Sequence, residues 1–142
     1  AYLQGGLGQL SPGFASLDAS RPWICYWLVH SLALLDAPLS RDVTADDVVA
    51  FLGHCQHPTG GFGGSPMQIA HLAPTYAAVA AAITVGTKRA FEMINRDAIW
   101  AFLLRMCVPP EQGGGFYVHE GAFGSRGCLV HTHLPLSWCA KG

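Results

Sequence analysis

An all-α fold built from repeated helix pairs is the class this sequence predicts, and three observations predict it. Apolar residues recur at helical spacing in several separate stretches, most of them preceded by a residue suited to capping a helix. A glycine-rich turn carrying a phenylalanine, Gly60-Gly61-Phe62-Gly63-Gly64, returns after about fifty residues as Gly113-Gly114-Gly115-Phe116, and a repeat of that length made of helix pairs points to a circular or solenoid stack. Nothing in the sequence supports a sheet.

The elements follow in order. Ala1 to Ser16 has weak periodicity and turn signals at Gly5-Gly6 and Ser11-Pro12-Gly13, and is expected to be a loosely ordered lead-in. Ser20 can cap a helix that Pro22 starts; it is apolar nearly all round to Leu35 and ends at Asp36-Ala37-Pro38. Trp23 and Trp27 share one face of it with Ser31 and Leu34, and two indoles on one stripe are either core or the wall of a ligand site. Thr44, with Asp47 at the third position, caps an amphipathic helix to about Cys55 whose stripe is Val48, Phe51, Leu52 and Cys55.

The central stretch, Gln56 to Ala82, organises the rest. Its glycine turn leads through Ser65-Pro66 to His71, and Pro74 then suits the first turn of a helix of small residues. Ala73, Tyr76, Ala77 and Ala80 fall on one face, so a single tyrosine projects from a smooth wall; such a wall lines a cavity or lets two helices pack closely. Gly86-Thr87 closes this helix and a short charged link runs from Lys88 to Glu92. Asn95 caps the next helix, with stripe Ile99, Phe102, Leu103 and Met106 and Arg105 near its negative end, before Pro109-Pro110 stops it.

Composition sets the bounds. The 142 residues suffice for one domain with a sizeable core. Charged residues are 12% of the chain against roughly 25% in ordinary globular proteins, and hydrophobic residues 51%, so much of the surface expects to be covered. The formal net charge is -1 with basic residues scattered, which leaves no electrostatic footprint for nucleic acid and none for an anionic membrane. No Asp, Glu, Lys or Arg occurs from Val48 to Thr87, but the most apolar helix, Leu72 to Val85, is too short to span a bilayer. No secretory leader opens the chain, and five dispersed cysteines, Cys25, Cys55, Cys107, Cys128 and Cys139, argue for free thiols in a reducing compartment; a cytosolic location is expected. The start, AYLQGG, lacks methionine, as an excerpt of a longer product would.

Two long strings, LDASRPWICYWLVHSLALLD from Leu17 to Asp36 and GGFGGSPMQIAHLAPTYAAV from Gly60 to Val79, resemble the β subunits of the protein prenyltransferases, specifically the farnesyltransferase type. The likeness covers roughly Ser16 to Arg105 in the expected order, which makes it more specific than a lone glycine motif. It implies an all-α, partial α-α toroid of inner and outer helices, divided as a lead-in at 1–16, a toroid domain at 17–128 and a divergent tail at 129–142. It further implies transfer of farnesyl from farnesyl diphosphate to the cysteine of a C-terminal CaaX motif, and a farnesyltransferase α subunit as partner. Trp23 and Trp27 would line the pocket shared by the isoprenoid and the acceptor peptide, with further contacts from His71, Ala73 and Tyr76. An isoprenoid offers only apolar surface, so aromatic walls are the matching chemistry. His71 read by itself is better explained as a satisfied structural histidine, and the resemblance brings the contact reading level with it.

Beyond Gly115 the likeness decays. Family members continue with a histidine, a Gly-Glu-x-Asp-Val-Arg run and a tyrosine; here His119 to Leu129 lacks both acidic positions and the tyrosine, and Arg126 aligns with the pocket arginine only across a one-residue gap. The tail LVHTHLPLSWCAKG shows no resemblance, as a splice variant or frameshift would give. Its Cys128, His131, His133 and Cys139 match no standard zinc spacing. In the family the catalytic Zn2+ is held by an Asp, a Cys and a His beyond the region represented here, so this chain is expected to supply pocket wall without the zinc site and to be inactive alone. Other readings are a non-catalytic fragment binding an α subunit, a geranylgeranyltransferase-type β subunit and, more remotely, a triterpene cyclase, for which no Asp-rich acid motif is visible.

Overall fold

The computed structural model describes residues 2–8, 10–122 and 129–130. Six α-helices carry the described fold: α1 (Tyr2–Gly6), α2 (Arg21–Leu34), α3 (Ala45–Cys55), α4 (Leu72–Val85), α5 (Lys88–Met93) and α6 (Arg96–Met106). The expected all-α class holds. The one departure is a ladder of two-residue strands, β1 (Phe116–Tyr117) and β2 (Leu129–Val130), paired antiparallel with Phe116 opposite Val130.

Capping decides several boundaries. Thr44 and Asp47 form a reciprocal box: Thr44 Oγ1 accepts from the Asp47 amide at 3.2 Å and an Asp47 carboxylate oxygen accepts from the Thr44 amide at 2.8 Å. Asn95 accepts from the Ala98 amide at 3.0 Å to open α6. Ser20, by contrast, makes no side-chain cap, because a 3-10 helix over Pro12–Ser20 already runs into α2; the Arg21 amide donates instead to the Gly64 carbonyl at 3.0 Å. The link after Gly86 is also more ordered than expected. Thr87 accepts from the Ala90 amide at 3.2 Å, and its cap makes Lys88–Met93 a helix. Within the expected lead-in, α1 packs on α2 and the Gln4 side-chain amide donates to the Pro38 carbonyl.

The core forms where three helices meet. Cys25 and Val29 of α2, Val48, Leu52 and Cys55 of α3, and Ala78 and Ala81 of α4 enclose the ring of Phe62, which is completely buried. Ala77, Ala78, Ala81 and Ala82 have no exposed surface, so the small residues of α4 do allow close approach on that side. The face turned away, through Ala73, Tyr76, Ala80 and Ile83, is partly or largely exposed. Of the expected smooth face, Ala77 therefore belongs to the close-packed side, and Ala73, Tyr76 and Ala80 to the open one. A second cluster of Ala70, Phe102 and Met106 packs α6 against Phe116.

The glycine turn joins these parts. Gly60 has φ +94° and a Cβ there would strike the Ala98 carbonyl of α6, while a Cβ on Gly64 would strike the Ala19 backbone. The Gly63 amide donates to the Cys55 carbonyl at 2.9 Å, and the His71 amide donates to the Phe62 carbonyl at 3.0 Å. The loop therefore touches the ends of α2, α3, α4 and α6. Gln56 extends the link: its amide nitrogen donates to the Asn95 carbonyl and its oxygen accepts from the Asn95 amide.

Candidate functional site

On α2, Trp23, Tyr26, Trp27 and His30 follow i, i+3, i+4 and i+7, which puts them on one stripe that leans toward the exposed face of α4. The helices cross closely because Ala77, Ala78 and Ala81 offer no bulk, and that approach brings Tyr76 into the stripe. Trp23 lies 5.6 Å from Tyr76 and 5.5 Å from Trp27 between ring centroids, and Tyr26 is 6.1 Å from Tyr76 at 78°, an edge-to-face pair. His30 stacks obliquely on Tyr26 at 5.2 Å, with Nδ1 3.4 Å from the Thr84 hydroxyl.

This cluster is open to solvent. Trp27 is 55% exposed and Tyr76 58%, whereas Phe62 and Phe102 are fully buried. Rings of this size placed together and left uncovered are costly unless something apolar lies against them. Among the described residues nothing covers the outer face of Trp27, while Trp23 is half-buried between its neighbours. On this face the Tyr26 phenol is held above its ordinary value, first by its hydrogen bond with Tyr76, and stays neutral.

His71 and Ala73 stand at the entrance to α4. His71 Nδ1 accepts from the Ala73 amide at 3.0 Å as the helix N-cap, so in the neutral ring the proton sits on Nε2. The half-buried His71 ring lies 5.5 Å from that of His119, and its pKa falls below 6.5, first through burial and then through the neighbouring His119. The structural role and an available Nε2–H thus coexist. Ala73 and Tyr76 are i and i+3 on α4, continuous with the aromatic wall, whereas the ring partner of His71 is His119 rather than a member of that wall. Arg126 lies outside the described residues, as do Cys128, His131, His133 and Cys139.

Chemically the site can bind but holds no activated nucleophile. Burial, and then Cys55, pushes the Cys25 thiol up to about 12, and burial pushes that of Cys55 up to about 11, so both stay protonated. Among the described residues no three His, Cys, Asp or Glu side chains come together as a metal ion would require. No helix there is long and apolar enough to cross a membrane.

Sequence reasoning missed Tyr26, His30, Thr75 and His119. Tyr26 and His30 carried a signal, their heptad-like spacing from Trp23; Thr75 carried a fainter one, a lone hydroxyl in a run of alanines. His119 carried only its place after the second glycine turn, where family members have a histidine, and the fold alone brings it to His71.

The prenyltransferase alpha-alpha toroid domain model matches residues 1–134, which takes in the lead-in and the first residues of the tail. Protein farnesyltransferase subunit beta of Arabidopsis thaliana is 48% identical over 130 residues, 91% of this chain and 26% of the relative. The same subunit of Pisum sativum is 46% identical over 111 residues, 78% of this chain and 26% of the relative, and that of Saccharomyces cerevisiae 36% over 108, 75% and 24%. The chain spans about a quarter of the length of these curated relatives. With a domain model matched along nearly all of its length and the helical architecture that model describes, the chain belongs to the prenyltransferase alpha-alpha toroid family.

Proposed function

We propose that this chain is part of a protein farnesyltransferase β subunit and forms one wall of the pocket in which farnesyl is transferred to a CaaX cysteine. The observation that carries the reading is the uncovered aromatic wall of Trp23, Trp27 and Tyr76. A farnesyl chain has no hydrogen-bonding atoms, so its affinity comes from apolar area removed from water at about 25 cal/mol per Å², and stiff rings supply that area at low entropic cost. Ala73 leaves room beside Tyr76 for a substrate to lie against the α4 backbone. The His71 Nε2–H is a donor for a carbonyl or carboxylate of the acceptor peptide, and its low pKa keeps the ring neutral at pH 7.

Arg126 would add a cation at the lipid end of the pocket. Zn2+, which in this family turns the acceptor cysteine into a thiolate, has no donor set among the described residues. The residues described bind and orient the isoprenoid and the peptide. An α subunit would complete the enzyme as a heterodimer.

The test is transfer. The complete β subunit carrying this segment, purified with its α subunit, is expected to farnesylate a CaaX peptide, and the 142-residue chain by itself is expected not to. Robust transfer by the chain alone, or none by the heterodimer, would overturn the proposal.

A further inference from the structure

The turn and the entrance to α4 are joined by an irregular rung. In an ordinary hydrogen-bonded antiparallel pair, two residues exchange both of their amide-to-carbonyl bonds. Phe62 and His71 exchange only one: the His71 amide donates to the Phe62 carbonyl at 3.0 Å. The return bond is relayed. The Phe62 amide donates to Thr75 Oγ1 at 2.8 Å, and that hydroxyl donates to the His71 carbonyl, also at 2.8 Å. One side chain thus uses its donor and an acceptor lone pair together, which a hydroxyl can do and a methyl cannot.

The setting makes the relay consequential. Thr75 is only 6% exposed, and the Phe62 ring it anchors is wholly buried, so a lost partner leaves an amide without water to replace it. A hydroxyl bonding back to the carbonyl four residues earlier is ordinary in helices, but here that carbonyl belongs to the N-cap histidine itself. The relay therefore ties the glycine turn to the His71 carbonyl, beside the direct bond from the His71 amide to Phe62, at the residue whose ring caps α4 through the Ala73 amide.

We propose that Thr75 is a positioning residue for acceptor-peptide recognition, acting through its hydroxyl relay on His71. The inference rests on the pocket reading above for its functional consequence; the relay itself does not. Because the relay ends on the His71 carbonyl while Trp23 and Trp27 are carried by α2, loss of the relay should disturb the peptide side of the pocket more than the isoprenoid side.

The test uses the complete β subunit with its α subunit and three substitutions. Thr75→Val keeps the size and deletes the hydroxyl; it is expected to raise the KM for a CaaX peptide about tenfold, as loss of a buried hydrogen bond would, with kcat and the affinity for farnesyl diphosphate within about twofold. Thr75→Ser keeps the hydroxyl and is expected to stay near the parent enzyme. Thr75→Ala, which cannot overpack, carries the same expectation as Thr75→Val if that variant fails to assemble. An unchanged peptide KM in the variants lacking the hydroxyl, equal damage in Thr75→Ser, or parallel loss toward both substrates would overturn the proposal. Hydrogen exchange of the segment 60–72 provides a readout that needs no activity: faster exchange in Thr75→Val than in Thr75→Ser supports the relay and equal exchange refutes it. A heterodimer with no transferase activity but with that exchange pattern would sink the proposed function and leave the relay standing.

Discussion

The two glycine turns begin alike and finish differently. After α3, Gln56 bridges to Phe62 and the His57 amide donates to the Gly61 carbonyl at 3.0 Å; after α6, Cys107 bridges to Phe116 and the Val108 amide donates to the Gly115 carbonyl at 3.0 Å. Both loops close a glycine–phenylalanine pair back onto the end of the preceding helix, but the second is longer and holds a 3-10 helix over Pro110–Gln112. Phe62, however, is fully buried by α2, α3 and α4 and tied to Thr75, whereas Phe116 is half-buried against Ala70, Phe102 and Met106. One tie between the two is the Leu72 amide, which opens α4 and donates to the Val118 carbonyl just past the second turn at 2.8 Å.

The contrast breaks first at the glycines. Gly60→Ala places a methyl against the Ala98 carbonyl at φ +94°, and should cost at least about 3 kcal/mol or prevent folding. Gly113 has φ +102° but open space around a Cβ, so Gly113→Ala should cost only the left-handed strain, about 1 kcal/mol. Denaturant titration of both variants checks this, and equal losses would refute the contrast.

A smaller difference is expected at the aromatic rings. Phe62→Ala should lose about 3–5 kcal/mol through the cavity it leaves, and Phe116→Ala less than about 2 kcal/mol because its site is already partly wet. If thermal melts show the second loss matching the first, the second turn is as closed as the first. Smaller again is the connection between the repeats: Gln56→Ala removes both bonds to the Asn95 backbone and should cost about 1 kcal/mol, with faster amide exchange at the start of α6.

The mildest expectation concerns acid. His71 has a folded pKa below its ordinary 6.5, so as pH falls through 6.5 the unfolded chain takes up a proton that the folded chain resists. Stability is full above pH 6.5 and declines below it. His71→Gln should flatten that slope in melts between pH 7 and pH 5, and an unaltered slope would assign it elsewhere.

Much of this was legible in the sequence for a physical reason. Thr44 with Asp47, Asn95 and the stripe from Val48 to Cys55 act over a few residues, and local rules reach that far. The length of α5 was not legible, because Lys88 to Glu92 has no apolar stripe and only the Thr87 cap declares it. The aromatic wall was half legible. Spacing puts Trp23 and Trp27 on one face, but whether that face is covered depends on α4 meeting it, and exposure is a property of the assembled helices. The His71–His119 approach and the Thr75 relay join residues across turns that no periodicity describes.

The central claim is that the wall of Trp23, Trp27 and Tyr76 lies against an isoprenoid, and lipid length tests it most directly. Geranylgeranyl is one isoprene unit longer than farnesyl, and an indole that limits the pocket should exclude it by overlap costing about 1–3 kcal/mol. The measurement is competitive transfer from both diphosphates to one CaaX peptide, using the complete β subunit with its α subunit. Trp23→Thr is expected to shift the product ratio toward geranylgeranyl, while Trp27→Thr mainly weakens binding of both. A farnesyl-to-geranylgeranyl ratio unchanged by Trp23→Thr would mean that Trp23 only packs α2 against α4, and the pocket assignment would be wrong.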